Sequence, residues 1–382
     1  MKGAAVGMNL GTHRASVAFA GPDKIVKLIP NRLKESDMPS AMKWKNSARH
    51  ALPDLITPLI LTLREDAEVC LNDFVVSCVL AVPVGLTEEQ KGIVVRSANA
   101  AGVTRAAVIP EPCAAALALG CRGRSLVLDF GAGTVLSVVD YRHGAWHVLE
   151  SVEAGLPGGR DYDEALAAWL QARLRLSLRK GELRQIGLVH EAEKIKIELS
   201  KVKSIRWTPP VLESGVSLAP ADWPSPELTI YREDLECLIR FSLRRIIHTV
   251  WRLWKTYSPD HLISTGGSAV IPLLKTILRR EGPKPRHLLH GTEDAVVRGA
   301  AVWAGSGGFS PEGQSAFSES GRDGAQQLRE LKLSLLELET LLTRPQQDRL
   351  QLLFQRAESS PPDAGLLRII SGLVHDLEQA VR

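Results

Sequence analysis

Hydrophobic and polar positions follow two rhythms along the first three hundred residues, and each rhythm predicts its own kind of element. Short β-type runs at Ala4–Met8 and Ser16–Ala20 flank a glycine-containing turn, which predicts a hairpin. Phe74–Val82 is a continuous valine-rich run, the pattern of a strand buried on both faces. It leads to Thr87-Glu88-Glu89-Gln90, a capping box with acidic residues in the first turn, so a helix is predicted from there to about Ala101. Ala106–Ile109 reads as a short strand and the alanine-rich Glu111–Leu119 as a helix. Ser125–Asp129 and Val135–Asp140 bracket Gly131 and Gly133, a second hairpin. Helical spacing then covers Asp161–Leu178, Leu188–Ser200 and Arg232–Lys255. A last strand–helix unit runs from Leu262 through Gly266-Gly267-Ser268 to a helix after Pro272. The succession of hairpins and β-α units predicts an α/β fold with mixed sheets.

The rhythm changes at Gly305. Residues Gly305 to Gln327 hold six glycines and five serines, the composition of a flexible linker. Beyond it, Leu328, Leu331, Leu335, Leu338 and Leu342 follow heptad spacing until Pro345 ends the run. Leu350, Leu353, Phe354 and Ala357 mark a second helix, and Leu366 to Val381 a third, after the break at Ser359-Ser360-Pro361-Pro362. From residue 306 on there are 11 acidic and 8 basic side chains, so the body carries the positive excess. The expected organisation is a body over 1–304, a linker over 305–327 and a helical tail over 328–382. That tail reads either as a small self-contained bundle or as an element that pairs with a partner.

Composition narrows the classes. A chain of 382 residues is long enough for two lobes and an appendage, and 45% hydrophobic with 24% charged content excludes wholesale disorder. Forty-seven basic against 43 acidic side chains leave +4, too weak a bias to argue for nucleic acid. Cys70, Cys78, Cys113, Cys121 and Cys237 are odd in number and fall mostly in apolar runs, which predicts buried thiols of a reducing compartment. Lys2 and the small residues up to Ala18-Phe19-Ala20 have the outline of a signal peptide, but Asn9, Thr12, His13 and Arg14 interrupt its apolar core. The greasiest stretch, Phe74 to Leu86, is broken by Ser77 and Pro83, and no window of about eighteen apolar residues exists. The expectation is a cytoplasmic chain without a membrane or nucleic-acid partner.

The candidate chemistry lies in the two hairpins, Gly7-Met8-Asn9-Leu10-Gly11-Thr12 and Leu128-Asp129-Phe130-Gly131-Ala132-Gly133-Thr134. Each sets a polar residue at a strand end, then glycines, then a threonine. Glycines let backbone N–H groups approach an anion closely, and a threonine hydroxyl adds a donor. An aspartate at the strand end can hold a metal ion or its waters, which makes Asp129 the candidate metal ligand. Two such turns more than a hundred residues apart suggest a duplicated phosphate clamp closing from both sides.

The pattern resembles the nucleotide-binding domain of the DnaK family, the seventy-kilodalton heat-shock chaperones of the actin-like ATPase superfamily. Further segments match in the family's order: Ala81-Val82-Pro83 with Glu89-Gln90; Ile109-Pro110-Glu111-Pro112-Cys113-Ala114-Ala115-Ala116-Leu117; Gly158-Gly159-Arg160-Asp161-Tyr162-Asp163; Ala192-Glu193-Lys194-Ile195-Lys196-Ile197-Glu198-Leu199-Ser200; Thr265-Gly266-Gly267-Ser268-Ala269-Val270-Ile271-Pro272; and Glu293-Asp294-Ala295-Val296 with Gly299-Ala300-Ala301. The likeness spans about residues 3 to 304. It implies a two-lobed actin-like ATPase fold with duplicated mixed sheets, joined here to a C-terminal all-α appendage.

The resemblance also implies a site for ATP or ADP with Mg²⁺. Glu193, Lys196 and Ser200 lie three and four residues apart, hence on one helical face; in the family that face grips the adenosine. Gly266, Gly267 and Ser268 precede a helix start, a place for phosphate or ribose oxygens. Asn9, Gly11, Thr12, Gly131, Gly133, Gly158 and Gly159 complete the implied nucleotide contacts. Val270 stands where the family often has an arginine beside the adenine. For hydrolysis, Glu111, Asp129 and Thr134 match the family's catalytic positions, together with Thr12. However, Asn9 replaces the first hairpin's aspartate and Leu136 the second hairpin's further acidic residue. The small subdomain near 30–56 that supplies a lysine is reduced, since Pro39-Ser40 runs almost directly into the helix around Pro53–Cys70. Single electrostatic groups are worth about a hundredfold or more in rate, so these losses together imply feeble or no ATPase activity.

Three functions remain open at this point. The first is a nucleotide-binding protein with weak or no hydrolysis, acting through nucleotide-dependent binding of a protein partner in folding or assembly, by its helical tail or its lobe surfaces. The second is an active Mg²⁺-dependent ATPase in which Lys43 or Lys45 replaces the missing lysine. The third is a scaffold without nucleotide that works through its tail. The family's peptide-binding β-sandwich has no counterpart after Gly305, where alternating β runs are lacking. There is no Gly-Lys dipeptide, hence no P-loop, and His190-Glu191-Ala192-Glu193-Lys194 lacks the second histidine of a zincin helix. The basic run Arg173, Arg175, Arg179, Lys180 and Arg184 reads as a solvated helix face, and Trp251 with Trp254 as core or interlobe packing.

Overall fold

The computed structural model describes residues 3–11, 15–21, 23, 25–33, 52–142, 145–153, 155–212, 214–219, 227–285, 287–306 and 317–318. All of these belong to one compact unit, Met1–Ser318. Thr12, Lys43, Lys45, residues 34–51 of the segment expected to be a reduced subdomain, most of the expected linker and the expected helical tail lie outside the described residues.

Two mixed sheets repeat one plan. The first contains β1 (Ala4–Leu10), β2 (Ala15–Ala20), β3 (Val26–Ile29), β4 (Val75–Val82) and β5 (Arg105–Pro110) in the order β3-β2-β1-β4-β5. The second contains β6 (Gly123–Phe130), β7 (Thr134–Arg142), β8 (Ala145–Val152), β11 (His261–Thr265) and β12 (His287–His290) in the order β12-β11-β6-β7-β8. In both, three antiparallel strands are followed by two strands parallel to the first of them. The register places Asn9 and Asp129 alike, one residue before the end of β1 and of β6. A short β9 (Ser204–Trp207) and β10 (Leu228–Tyr231) pair separately.

Helices cover both faces of each sheet, which explains the unbroken apolar strands. On β4, Cys78, Leu80 and Val82 enter the core shared with α1 (Leu52–Leu71) and α2 (Glu88–Ala100). Val79 and Ala81 turn to the opposite core, beside α3 (Glu111–Ala118) and α8 (Ala295–Gly305). In the second sheet, Leu126, Leu128 and Phe130 face α4 (Gly159–Arg173), α5 (Leu183–Lys201), α6 (Arg232–Tyr257) and α7 (Pro272–Glu281). Val127 and Ile263 face α3 and α8, so this helix pair is shared between the two sheets. The approach there is close: a Cβ on Gly299 would overlap the Ala114 carbonyl, and one on Gly7 would overlap the Ala301 backbone.

Most predicted elements lie where the sequence puts them, including the capping box, in which Thr87 Oγ1 accepts from Gln90 N–H and Gln90 Oε1 from Thr87 N–H. Some expectations are corrected. Helix α4 stops at Arg173 rather than Leu178, because Arg175 takes a left-handed φ of 54° and Leu174, Leu176 and Leu178 pack with a period of two. The basic run is therefore no helix face, and its Arg184 guanidinium donates to the Ser217 and Ala219 carbonyls. Cys78, Cys113 and Cys121 are buried, but Cys70 and Cys237 are exposed; all five thiols are free. Trp254 packs on the second lobe's core, whereas Trp251 is 36% exposed and its Nε1 donates to the Glu281 carbonyl at 2.7 Å. Within the expected linker, Phe317–Ser318 pairs parallel with β8. No described helix is long and apolar enough to cross a membrane.

Candidate functional site

A cavity of about 700 Å³ opens where these elements meet, lined by residues of both hairpins, α4, α5 and the turn after β11. From the predicted set it gathers Gly11, Gly131, Gly159, Glu193, Lys196, Ser200, Gly267 and Ser268, with Val270 on its wall, half exposed at 49%. Asn9, Asp129, Gly133, Thr134, Gly158, Gly266 and Glu111 are set back from that wall. Ser16, Asp163, Lys201, Ile271 and Asp294 also line it and were not singled out from the sequence as contacts. For Ser16 a signal existed, since hairpin register sets it opposite Asn9.

The second hairpin is wired to its neighbours mainly through the Gly131 and Ala132 carbonyls. The Gly131 oxygen accepts from the Gly159 N–H at 2.9 Å and from Ser268 Oγ at 3.1 Å. Ala132 O accepts from the Arg160 N–H, and the Asp161 carboxylate accepts from the Gly158 N–H. Glycine is required at this crossing: a Cβ on Gly158 would overlap the Ala132 carbonyl, and one on Gly159 the Ser268 hydroxyl. Gly266 has φ 92°, and a Cβ there would press on the Asp129 carboxylate. A 3-10 turn, Gly267–Val270, leads from Gly266 to α7, which starts at Pro272 as the sequence predicts.

Three predicted side chains are engaged differently than expected. Lys196 is buried and ion-paired with Asp163 at 2.7 Å, and its Nζ also donates to the Gly159 carbonyl at 3.1 Å. Its charge is thus neutralised inside the wall. Ser200 Oγ donates to Lys196 O, four residues back on α5. Thr134 Oγ1 donates to the Pro157 carbonyl at 2.6 Å. Leu136 is fully buried in the core of the second lobe.

The electrostatics of the cavity are uneven. Burial pushes the Asp129 carboxyl up to about 6 from 3.8. Burial alone would raise Asp294 too, but hydrogen bonds from Thr292 and Arg298 and the Arg298 charge outweigh it and hold it below the ordinary range. Asn9 Oδ1 is buried without a hydrogen-bond partner among the described residues. Among the described residues no three His, Cys, Asp or Glu side chains converge to hold a metal ion by themselves.

The cavity suits a ligand carrying an anion. A Cβ on Gly267 would meet no atom within 4 Å, so the turn after β11 leaves backbone open to the cavity there, whereas the Gly131 N–H is bonded to the Gly133 carbonyl. Over residues 23–309 the chain matches the family described as Hsp70 protein. This chain belongs to the Hsp70 family. It is 30% identical over 270 residues to the chloroplastic heat shock 70 kDa protein 6 of Arabidopsis thaliana, covering 67% of this chain and 37% of that protein. It is 26% identical to the chaperone protein DnaK of Mycoplasma mobile, covering 76% of this chain and 52% of the relative. For the chaperone protein dnaK1 of Prochlorococcus marinus subsp. pastoris the figures are 27%, 72% and 44%. This Hsp70-family chain therefore spans from about a third to about half of the length of these relatives. The match covers both hairpin sheets from β3 onward and the whole cavity apart from Gly11 and Ser16.

Proposed function

We propose that this chain is a DnaK-like adenine-nucleotide-binding protein with weak or no ATPase activity. It would act in protein folding or assembly through nucleotide-dependent binding of a protein partner. The observation that carries the reading is the cavity in which two duplicated hairpins and the Gly267–Ser268 turn meet, with the second hairpin, α4 and that turn joined at the Gly131 carbonyl. Gly11 and Gly267 would offer backbone to the phosphates, Glu193 and Ser200 would face the ribose side, and Ile197, Val270 and Ile271 the apolar base. Mg²⁺ held through water by Asp129 would supply phosphate charge neutralisation when the nucleotide is bound.

Weak turnover is supported by three residues of the two hairpins and the cavity wall. Asn9 is neutral, Leu136 is buried in the core, and Lys196, a cation on the cavity wall, is already paired with Asp163. Phosphoryl transfer depends on charge stabilisation, so these substitutions lower its rate while leaving backbone contacts to the phosphates in place. Five free thiols support a cytoplasmic location.

Thermal melting with ADP or ATP, with and without Mg²⁺, tests the reading. A ligand that binds only the folded form raises the midpoint by mass action, here by about 2 °C or more at saturating nucleotide. An unmoved midpoint with both nucleotides would show the cavity to be something other than a nucleotide site.

A further inference from the structure

Helix α6 presents two contrasting faces. Leu235, Ile239, Leu243, Ile246, Val250 and Leu253 are buried in the core of the second lobe. Opposite them Phe241, Arg244, His248, Trp251 and Lys255 lie three and four residues apart, all exposed, in a single stripe. Phe241 is 78% exposed. The Trp251 indole N–H donates to the Glu281 carbonyl at the end of α7, which brings the exposed Arg279 and Arg280 alongside the stripe.

The charge of this region is unlike that of the rest of the chain. Cys237 to Arg280 holds eight lysines and arginines against one acid, Asp260, so it carries +7 while the remaining residues sum to −3. Arg252 is paired with the buried Glu150. No acidic side chain among the described residues pairs with Arg240, Arg244, Lys255, Arg279 or Arg280. A helix face adapted to water alone alternates acids with bases, because like charges one turn apart repel. Here cations are uninterrupted and two large aromatic rings stand among them. Aromatic and arginine side chains are the groups that anchor protein interfaces.

We infer that this face of α6 and α7 binds an acidic amphipathic protein segment, with carboxylates on the arginines and apolar side chains on Phe241 and Trp251. The stripe from Phe241 to Lys255 is about 21 Å long at 1.5 Å per residue and one side chain wide, the dimensions of a single helix or strand. A long polyanion would run past the ends of this short run of cations, and two separated rings among cations make too narrow an apolar face for a bilayer. The inference is independent of whether the cavity holds nucleotide.

The test uses the full chain and a labelled synthetic peptide of about 18 residues, with leucines at helical spacing and glutamates elsewhere, followed by fluorescence anisotropy. Saturable binding is expected, weakened about tenfold or more by Arg240→Glu with Arg244→Glu, by Arg279→Glu with Arg280→Glu, and by Phe241→Ser. It is also expected to weaken as salt rises from about 50 to about 300 mM and to vanish when the peptide's glutamates become glutamines. All the substituted residues are exposed, and unchanged melting midpoints would certify the folds; three variants at separate places guard against one misfolding. No saturable binding, or binding indifferent to all folded variants, would overturn the inference. So would tighter binding of single-stranded RNA, or of vesicles containing phosphatidylserine, with the same dependence on the variants.

Discussion

Asp129 shows how a single ionisable residue can act against stability. Its carboxyl is raised to about 6 in the folded chain from 3.8, so the native state takes up a proton between those values. Its contribution to stability is full below about pH 4 and lost as pH rises through 6; at neutral pH the buried charge opposes folding. Asp129→Asn is expected to stabilise the ligand-free protein by about 1–3 kcal/mol at pH 7.5, with no gain near pH 4. Urea unfolding at both pH values measures this, and a loss at pH 7.5 would contradict it. The same variant is expected to weaken binding of the Mg²⁺–nucleotide complex. Lys196 shows the limit of sequence spacing. Helical periodicity puts it on the cavity face, but its partner Asp163 comes from a different helix, thirty-three residues away, which periodicity on α5 says nothing about. Lys196→Met takes the ammonium away from the buried Asp163 carboxylate and is expected to cost about 3–5 kcal/mol, most of it restored by adding Asp163→Leu. Chemical denaturation of the single and double variants decides this; equal losses in both would show that the pair is not what Lys196 serves.

Elements were legible where local chemistry decides them. The capping box at Thr87, the apolar β4 and the two hairpins follow from side chains within a few residues of each other. Boundaries set by tertiary packing were not. The leucines after Arg173 continue an apolar pattern that looks helical until the left-handed Arg175 breaks it. The pairing of Phe317–Ser318 with β8 depends on a sheet edge 170 residues earlier in the chain. The glycines of α8 and β1 are a further case, because only the packed structure shows what a side chain there would strike. Gly299→Ala is expected to force α8 away from α3 and to cost about 1–3 kcal/mol or more, read as a lower thermal midpoint. A neutral result would mean that the two helices part easily.

At the scale of the whole molecule, duplication relates sequence to site. Two sheets that share a five-strand order, the second extended by Phe317–Ser318, place Asn9 and Asp129 at equivalent strand ends, and the shared α3–α8 pair ties those sheets into one unit. The resemblance of the ordered motifs gave the architecture and the glycine walls of the cavity. It did not reveal that the Thr134 hydroxyl is taken by Pro157 or that Lys196 is neutralised, since both depend on partners brought close by folding. The proposal that the cavity holds nucleotide without breaking it down is tested most directly by mixing the full chain, in excess, with ATP labelled at the α-phosphate and Mg²⁺, and identifying the nucleotide retained on the protein after about an hour. The account predicts retained nucleotide that is still ATP; nothing retained, or conversion to ADP within the first minutes, would contradict it.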